Sequence, residues 1–135
     1  MWSSARQKNI TPLLEQLLDK GQTERLVFVW HQSHCQEEPP LPQDPKKPVF
    51  LKPLSKLWTS FPKYENYTLL IDDSPIKARV NPPNTAIHPR EWTRDQKADS
   101  TLAEQGYLRQ YLIALASDDN TVARFVASRP FNEPV

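Results

Sequence analysis

Leu69-Leu70-Ile71-Asp72-Asp73-Ser74-Pro75 is the stretch from which the organisation of this 135-residue chain is read. Together with Tyr67 and Thr68, the apolar residues before Asp72 have the composition of a strand over 67–71 buried on both faces. Two carboxylates stand at its carboxyl end, and Ser74 followed by Pro75 supplies the N-cap and first-turn pair of a short helix. Open α/β sheets bind their ligands just outside the carboxyl ends of their strands. Adjacent carboxylates in such a crevice repel each other and require a compensating cation, and Mg²⁺ takes oxygen ligands of this kind. Asp72 is the metal candidate on these grounds. The alternative is a plain turn, in which one aspartate supports the chain reversal and caps the helix with Ser74 while the other is solvated.

Outward from this point the chain alternates strands and helices. Upstream, Thr11 and Pro12 open a helix carrying Leu13, Leu14, Leu17 and Leu18, which Gly21 ends. Leu26, Val27, Phe28, Val29 and Trp30 form an unbroken apolar run, predicted as a strand buried on both faces in a parallel sheet. Val49 to Leu51 reads as short and extended, and Pro53 opens a helix bearing Leu54, Leu57 and Trp58. Downstream, Asn81-Pro82-Pro83-Asn84 turns into a brief strand over 85–87. Leu108, Tyr111, Leu112 and Leu115 give one helical face after Gly106; a last helix starts at Asp118 or Asp119, packs through Val122, Phe125 and Val126, and stops before Pro130. Such alternation implies an open α/β sheet with helices on both faces.

Composition narrows the class further. Fourteen prolines accompany two glycines, where average usage gives about 7 and about 9, so rigid turns set chain direction. Six prolines fall between Pro39 and Pro53, and the segment over 36–48 reads as a proline-rich surface insertion with PxxP spacings at Pro42, Pro45 and Pro48. Seventeen basic residues against sixteen acidic ones leave a net charge of +1, which gives no field that points to nucleic acid or an anionic membrane. No apolar run approaches the ~20 residues of a membrane span, and the lone Cys35 makes no internal disulfide. An intracellular chain is the expectation, nucleus or mitochondrion being left open.

Trp2-Ser3-Ser4, Trp30-His31-Gln32-Ser33-His34-Cys35, Lys52-Pro53-Leu54-Ser55-Lys56-Leu57-Trp58, Thr68 to Pro75 and Asn81-Pro82-Pro83-Asn84-Thr85-Ala86-Ile87 together resemble the haloacid dehalogenase superfamily. Within it they are similar to the NLI-interacting-factor-like phosphatases related to the RNA polymerase II C-terminal-domain phosphatases, and nearly the whole chain takes part. The resemblance implies a Rossmannoid three-layer αβα sandwich over 1–135 and Mg²⁺-dependent removal of phosphate from phosphoserine or phosphothreonine in proteins or peptides. It further implies that Ser3 hydrogen-bonds the phosphoryl group, Lys52 neutralises it, Asp72 holds Mg²⁺, and Asp73 orients the metal's water shell. That set suits phosphoryl transfer, which rests on charge neutralisation and in-line positioning.

The family's first motif, Asp-x-Asp-x-Thr, carries the nucleophilic aspartate and the general acid–base aspartate. No Asp-x-Asp occurs in these 135 residues. Ser3 stands at the motif that follows it, so the expectation is a domain incomplete at its N-terminus, without its central strand and without turnover of its own. Sheet edges left open in this way imply marginal stability. A different reading of the resemblance is a non-catalytic presequence-receptor-like subunit of the mitochondrial inner-membrane translocase, with other translocase subunits as partners. A third is a pseudophosphatase that scaffolds partners through its proline-rich insertion. Asp72-Asp73-Ser74-Pro75 is closer to the phosphatase form, whereas the absent nucleophile suits a binder. His31, His34 and Cys35 lack a second ligand cluster for zinc and are placed at the site's rim; Trp30, Trp58 and Trp92 are assigned to core or rim packing.

Overall fold

The computed structural model describes residues 1–134, which form two compact units, Met1–Pro53 and the chain from Leu54 onward. In the first unit, α1 (Gln7–Leu17) is followed by α2 (Lys20–Glu24), a 3₁₀ turn (Gln32–His34), β1 (Gln36–Glu38) and β2 (Val49–Leu51). The helix expected from Thr11 begins a full turn earlier. Ser3 Oγ accepts the Ala5 amide at 3.1 Å just before it, and Ile10 and Leu14, four residues apart, are the positions it buries. Thr11 is therefore a helical residue whose hydroxyl donates to the Gln7 carbonyl, and Pro12 sits inside the helix, lacking the amide that would reach back to Lys8. Asp19, not Gly21, governs the helix boundary. Its carboxylate accepts the Gln22 amide at 2.8 Å while the Gln22 side chain accepts the Asp19 amide at 3.0 Å, a reciprocal cap that starts α2 with Gly21 inside it.

The run over 26–30 departs most from expectation. Among the described residues it makes only an isolated parallel bridge, Trp2 to Trp30, held by the Trp30 amide on Met1 and the Ser3 amide on Trp30, both at 2.9 Å. Burial alternates along it: Leu26, Phe28 and Trp30 are half-buried while Val27 is 56% and Val29 38% exposed. One face packs, with the Trp2 and Trp30 rings edge to face at 4.8 Å. A strand is buried on both faces only when layers cover both, and within this unit the run has a single cover. The proline-rich segment is also narrower than the insertion expected over 36–48. Its first residues form β1, antiparallel to β2 with Gln36 opposite Leu51 and Glu38 opposite Val49, so residues 39–48 are a hairpin loop.

The second unit contains α3 (Leu54–Ser60), 3₁₀ turns at Pro62–Tyr64 and Pro75–Ala78, β3 (Leu70–Ile71), β4 (Ala86–Ile87), α4 (Tyr107–Ala116) and α5 (Val122–Ser128). β3 and β4 are parallel, Leu70 beside Ala86 and Ile71 beside Ile87. The strand expected over 67–71 is shortened because the Thr68 hydroxyl donates to the Tyr64 carbonyl at 2.6 Å and the Tyr67 amide to the same oxygen at 2.9 Å, which keeps that part in a turn. The amides of Leu70 and Asp72 donate to the carbonyls of Thr85 and Ile87. The strand's alternation turns the Ile71 backbone to the opposite edge, and among the described residues it meets no hydrogen-bond partner there. Asn84, at φ 61°, takes the left-handed position that leads into β4, where asparagine is tolerated.

Ile87, Leu108, Val122, Phe125 and Val126 form the core of this unit, joining β4 to α4 and α5. Tyr111 packs edge to face on both Phe125 and Phe131, at 5.4 and 5.2 Å. Gly106 precedes α4 because a Cβ there would stand 2.2 Å from the Ser100 carbonyl oxygen. Thr121 rather than Asp118 or Asp119 caps α5, its hydroxyl oxygen accepting the Arg124 amide. The architecture is mixed α/β, with one antiparallel and one parallel two-stranded sheet. Truncating Phe125, 1% exposed, to alanine is expected to lower unfolding stability by about 3–5 kcal/mol in urea titrations. Val27→Ala, on the exposed face of the 26–30 run, should change it by less than about 0.5 kcal/mol.

Candidate functional site

Parallel strands end on the same side, so the residues that follow β3 and β4, Asp72 and His88, emerge together. Asp72 is buried, its side chain only 4% exposed. Its Oδ1 accepts the Ser74 amide at 3.0 Å, an aspartate turn that directs the chain into the Pro75–Ala78 3₁₀ turn. Lys77, on that turn, brings Nζ to 3.6 Å from the same oxygen. The Asp72 carbonyl accepts from His88 Nδ1 at 2.7 Å. A carbonyl has no proton to give, so His88 Nδ1 is the donor in this bond. Asp73 is exposed, and among the described residues its carboxylate has no hydrogen-bond partner. Ser74 occupies the N-cap position of the turn but makes no side-chain cap; its own amide is held by the Asp72 carboxylate.

A buried carboxylate with a free, exposed carboxylate beside it suits a cation that keeps most of its water. Mg²⁺ is bound in that manner, through one or two carboxylates. An all-protein cage is not what this cluster offers: among the described residues, no group of three or more His, Cys, Asp and Glu side chains is arranged to hold a metal. The donor set at 72–73 therefore fits hydrated magnesium.

Of the other predicted site residues, Ser3 and Lys52 belong to the first unit. The Ser3 amide donates to Trp30 and its Oγ accepts from Ala5, which leaves the hydroxyl proton to donate elsewhere. Lys52, directly after β2, is 5% exposed. Residue type alone reads it as a solvated lysine beside a proline; a lysine so deeply covered is uncommon and marks the position as special. Around Asp72 the second unit gathers two side chains that the sequence does not single out, Lys77 and His88. Lys77 lies three residues past the Ser74-Pro75 turn signal. His88 directly follows the strand expected at 85–87, and only the parallel pairing makes its place equivalent to that of Asp72.

The histidine turn is built as a self-contained unit. The His31 amide donates to His34 Nδ1 at 3.1 Å, and the His34 ring stacks on Trp30 with centroids 5.2 Å apart. The Cys35 thiol points to the carbonyl oxygens of Ser3 and His31 at 3.9 and 4.0 Å. Elsewhere, in the second unit, a cavity of about 580 Å³ is lined by Arg90, Trp92, Lys97, Asp99, Tyr107 and Glu133 among others. Its polar groups are engaged in holding the chain. Glu133 receives the Tyr107 hydroxyl, the Arg90 amide and the Arg90 guanidinium, and the Tyr107 bond first among these holds its carboxyl below the ordinary range. Trp92, assigned to packing, is 62% exposed at this cavity's edge because the loop around it provides no layer to cover it.

The parallel pairing brings a buried strand-end aspartate, Lys77 and His88 together on an α/β frame. The family model of NLI interacting factor-like phosphatases matches residues 1–123, and the chain belongs to that family. No curated protein and no solved structure matches it. The geometry at His88 makes a direct prediction: long-range ¹H–¹⁵N correlation spectra should show a proton on His88 Nδ1, whereas an Nδ1 that carries no proton would contradict the bond to Asp72.

Proposed function

We propose that this chain is a magnesium-binding, phosphoserine/phosphothreonine phosphatase-like domain whose 135 residues bind metal but do not by themselves turn substrate over. The observation that carries the reading is the buried Asp72 at the carboxyl end of parallel β3, with exposed Asp73 beside it, in a member of a phosphatase family. Asp72 and Asp73 hold the metal in this reading. Ser3, with a hydroxyl proton to donate, and Lys52, a buried cation, bind the phosphoryl oxygens. Bound Mg²⁺ would neutralise charge on a phosphoryl group. The parallel β3–β4 pair is read as a piece of a haloacid-dehalogenase-like αβα sheet, and the Ile71 backbone, without a hydrogen-bond partner among the described residues, is an edge that a further strand would cover.

Inactivity follows from chemistry rather than from binding. Attack at phosphorus needs an in-line nucleophile, and proton transfer to the leaving oxygen needs a second positioned acid. The family uses Asp-x-Asp for both, and no such pair occurs among these residues. Asp72 is held by Ser74, Lys77 and the metal role and cannot double as the attacking group. Phosphate release from a phosphoserine peptide or an aryl phosphate with Mg²⁺ should equal that of the Asp72→Ala variant. Metal-dependent turnover above that control would overturn the reading.

A further inference from the structure

Asp72 already has a cation. Lys77 Nζ stands 3.6 Å from its Oδ1, with the carboxylate side chain 4% and the lysine side chain 26% exposed. A carboxylate this covered needs opposite charge to remain ionised, and the local chain is folded to deliver it. The Ser74 amide is tied to Asp72 Oδ1, the 3₁₀ turn starts at the next residue, and the Lys77 amide closes on the Ser74 carbonyl at 3.1 Å. That short circuit brings a residue five positions along the chain back onto the carboxylate. The contact is nevertheless loose. At 3.6 Å it is longer than the ~2.7–2.9 Å of a tight charge-assisted hydrogen bond. The ammonium also rides on a flexible four-carbon stem that reaches solvent. Asp73, the next residue, is exposed with no hydrogen-bond partner among the described residues and leaves an oxygen ligand open to an arriving cation.

We infer that Lys77 is a tethered counterion of Asp72, which a divalent cation displaces to bind, so that this lysine sets the metal affinity of the site. The inference rests on Asp72 being the metal ligand. While metal is scarce, the ammonium keeps the buried carboxylate compensated and the turn intact. When metal is abundant, the doubly charged ion takes the carboxylate together with Asp73, and Lys77 swings out to water. Lys77 thus weakens metal binding in the ground state and raises the concentration at which the site fills.

Manganese is the probe, its free concentration read by electron paramagnetic resonance in titrations of the full chain and its variants. Lys77→Met and Lys77→Gln should bind Mn²⁺ about tenfold more tightly than wild type, the effect expected for removing one competing charge near a partly exposed site. Lys77→Arg should bind no more tightly than wild type, and Asp72→Asn should lose the site. Unchanged or weaker binding in both neutral variants, with Asp72→Asn still abolishing it, overturns the counterion role and leaves the metal ligand standing. Asp72→Asn binding like wild type, or no binding in any variant, overturns both. Wild-type protein gives a second readout independent of variant folding. Acetylation of the Lys77 amine by an N-hydroxysuccinimide ester, mapped by mass spectrometry, should rise as Mn²⁺ is added, and an unchanged rate overturns the displacement.

Discussion

In a parallel ladder both chains run the same way, so whatever follows each strand is delivered to a common edge. β3 and β4 contribute only two residues each, yet their pairing is the constraint on which this site depends. It sets the Asp72 carbonyl against His88, seats β4 in the Phe125 core through Ile87, and gives the Asp72 carboxylate a buried setting. Without that register, Asp72-Asp73-Ser74-Pro75 is an acidic turn; with it, one carboxylate is covered and held while its neighbour stays in water.

Burial is what converts the aspartate pair into chemistry. An ionised carboxylate removed from solvent is costly unless hydrogen bonds and opposite charge replace its water. Asp72 receives a backbone amide from Ser74 and an ammonium from Lys77, and His88 fixes its main chain from the other strand. Asp73 is spared this demand by its exposure. The asymmetry separates two adjacent residues of one type into a held carboxylate and an adaptable one, the pair to which the proposed function assigns a largely hydrated metal.

The parts legible in the sequence are those whose cause is local. The strand-end aspartates, the extended 49–51, the helix after Pro53 and the faces of α4 and α5 follow from residue type and period, and the family resemblance rests on those same stretches. The parts that were not legible depend on distant cover. Leu26 to Trp30 has the composition of a strand buried on both faces, but burial comes from neighbours, and only Leu26, Phe28 and Trp30 find any. By residue type alone Lys52 reads as a surface residue, its site role coming only from the resemblance, and the fold leaves it 5% exposed. Other misses are local signals overshadowed by stronger ones. The Asp19–Gln22 cap was masked by Gly21, and the α1 start by the Thr11-Pro12 pair. His88 carries no signal of its own, since its place beside Asp72 exists only once the two strands pair.

Paramagnetic broadening by manganese tests the central claim most directly, because it locates the metal without requiring turnover. In ¹H–¹⁵N spectra of the chain, substoichiometric Mn²⁺ should first erase the amide signals of Asp72, Asp73, Ser74 and His88, the residues that converge at the carboxyl ends of β3 and β4. Broadening centred instead on the other acidic positions, Asp95 and Asp99 or Asp118 and Asp119, would contradict the account.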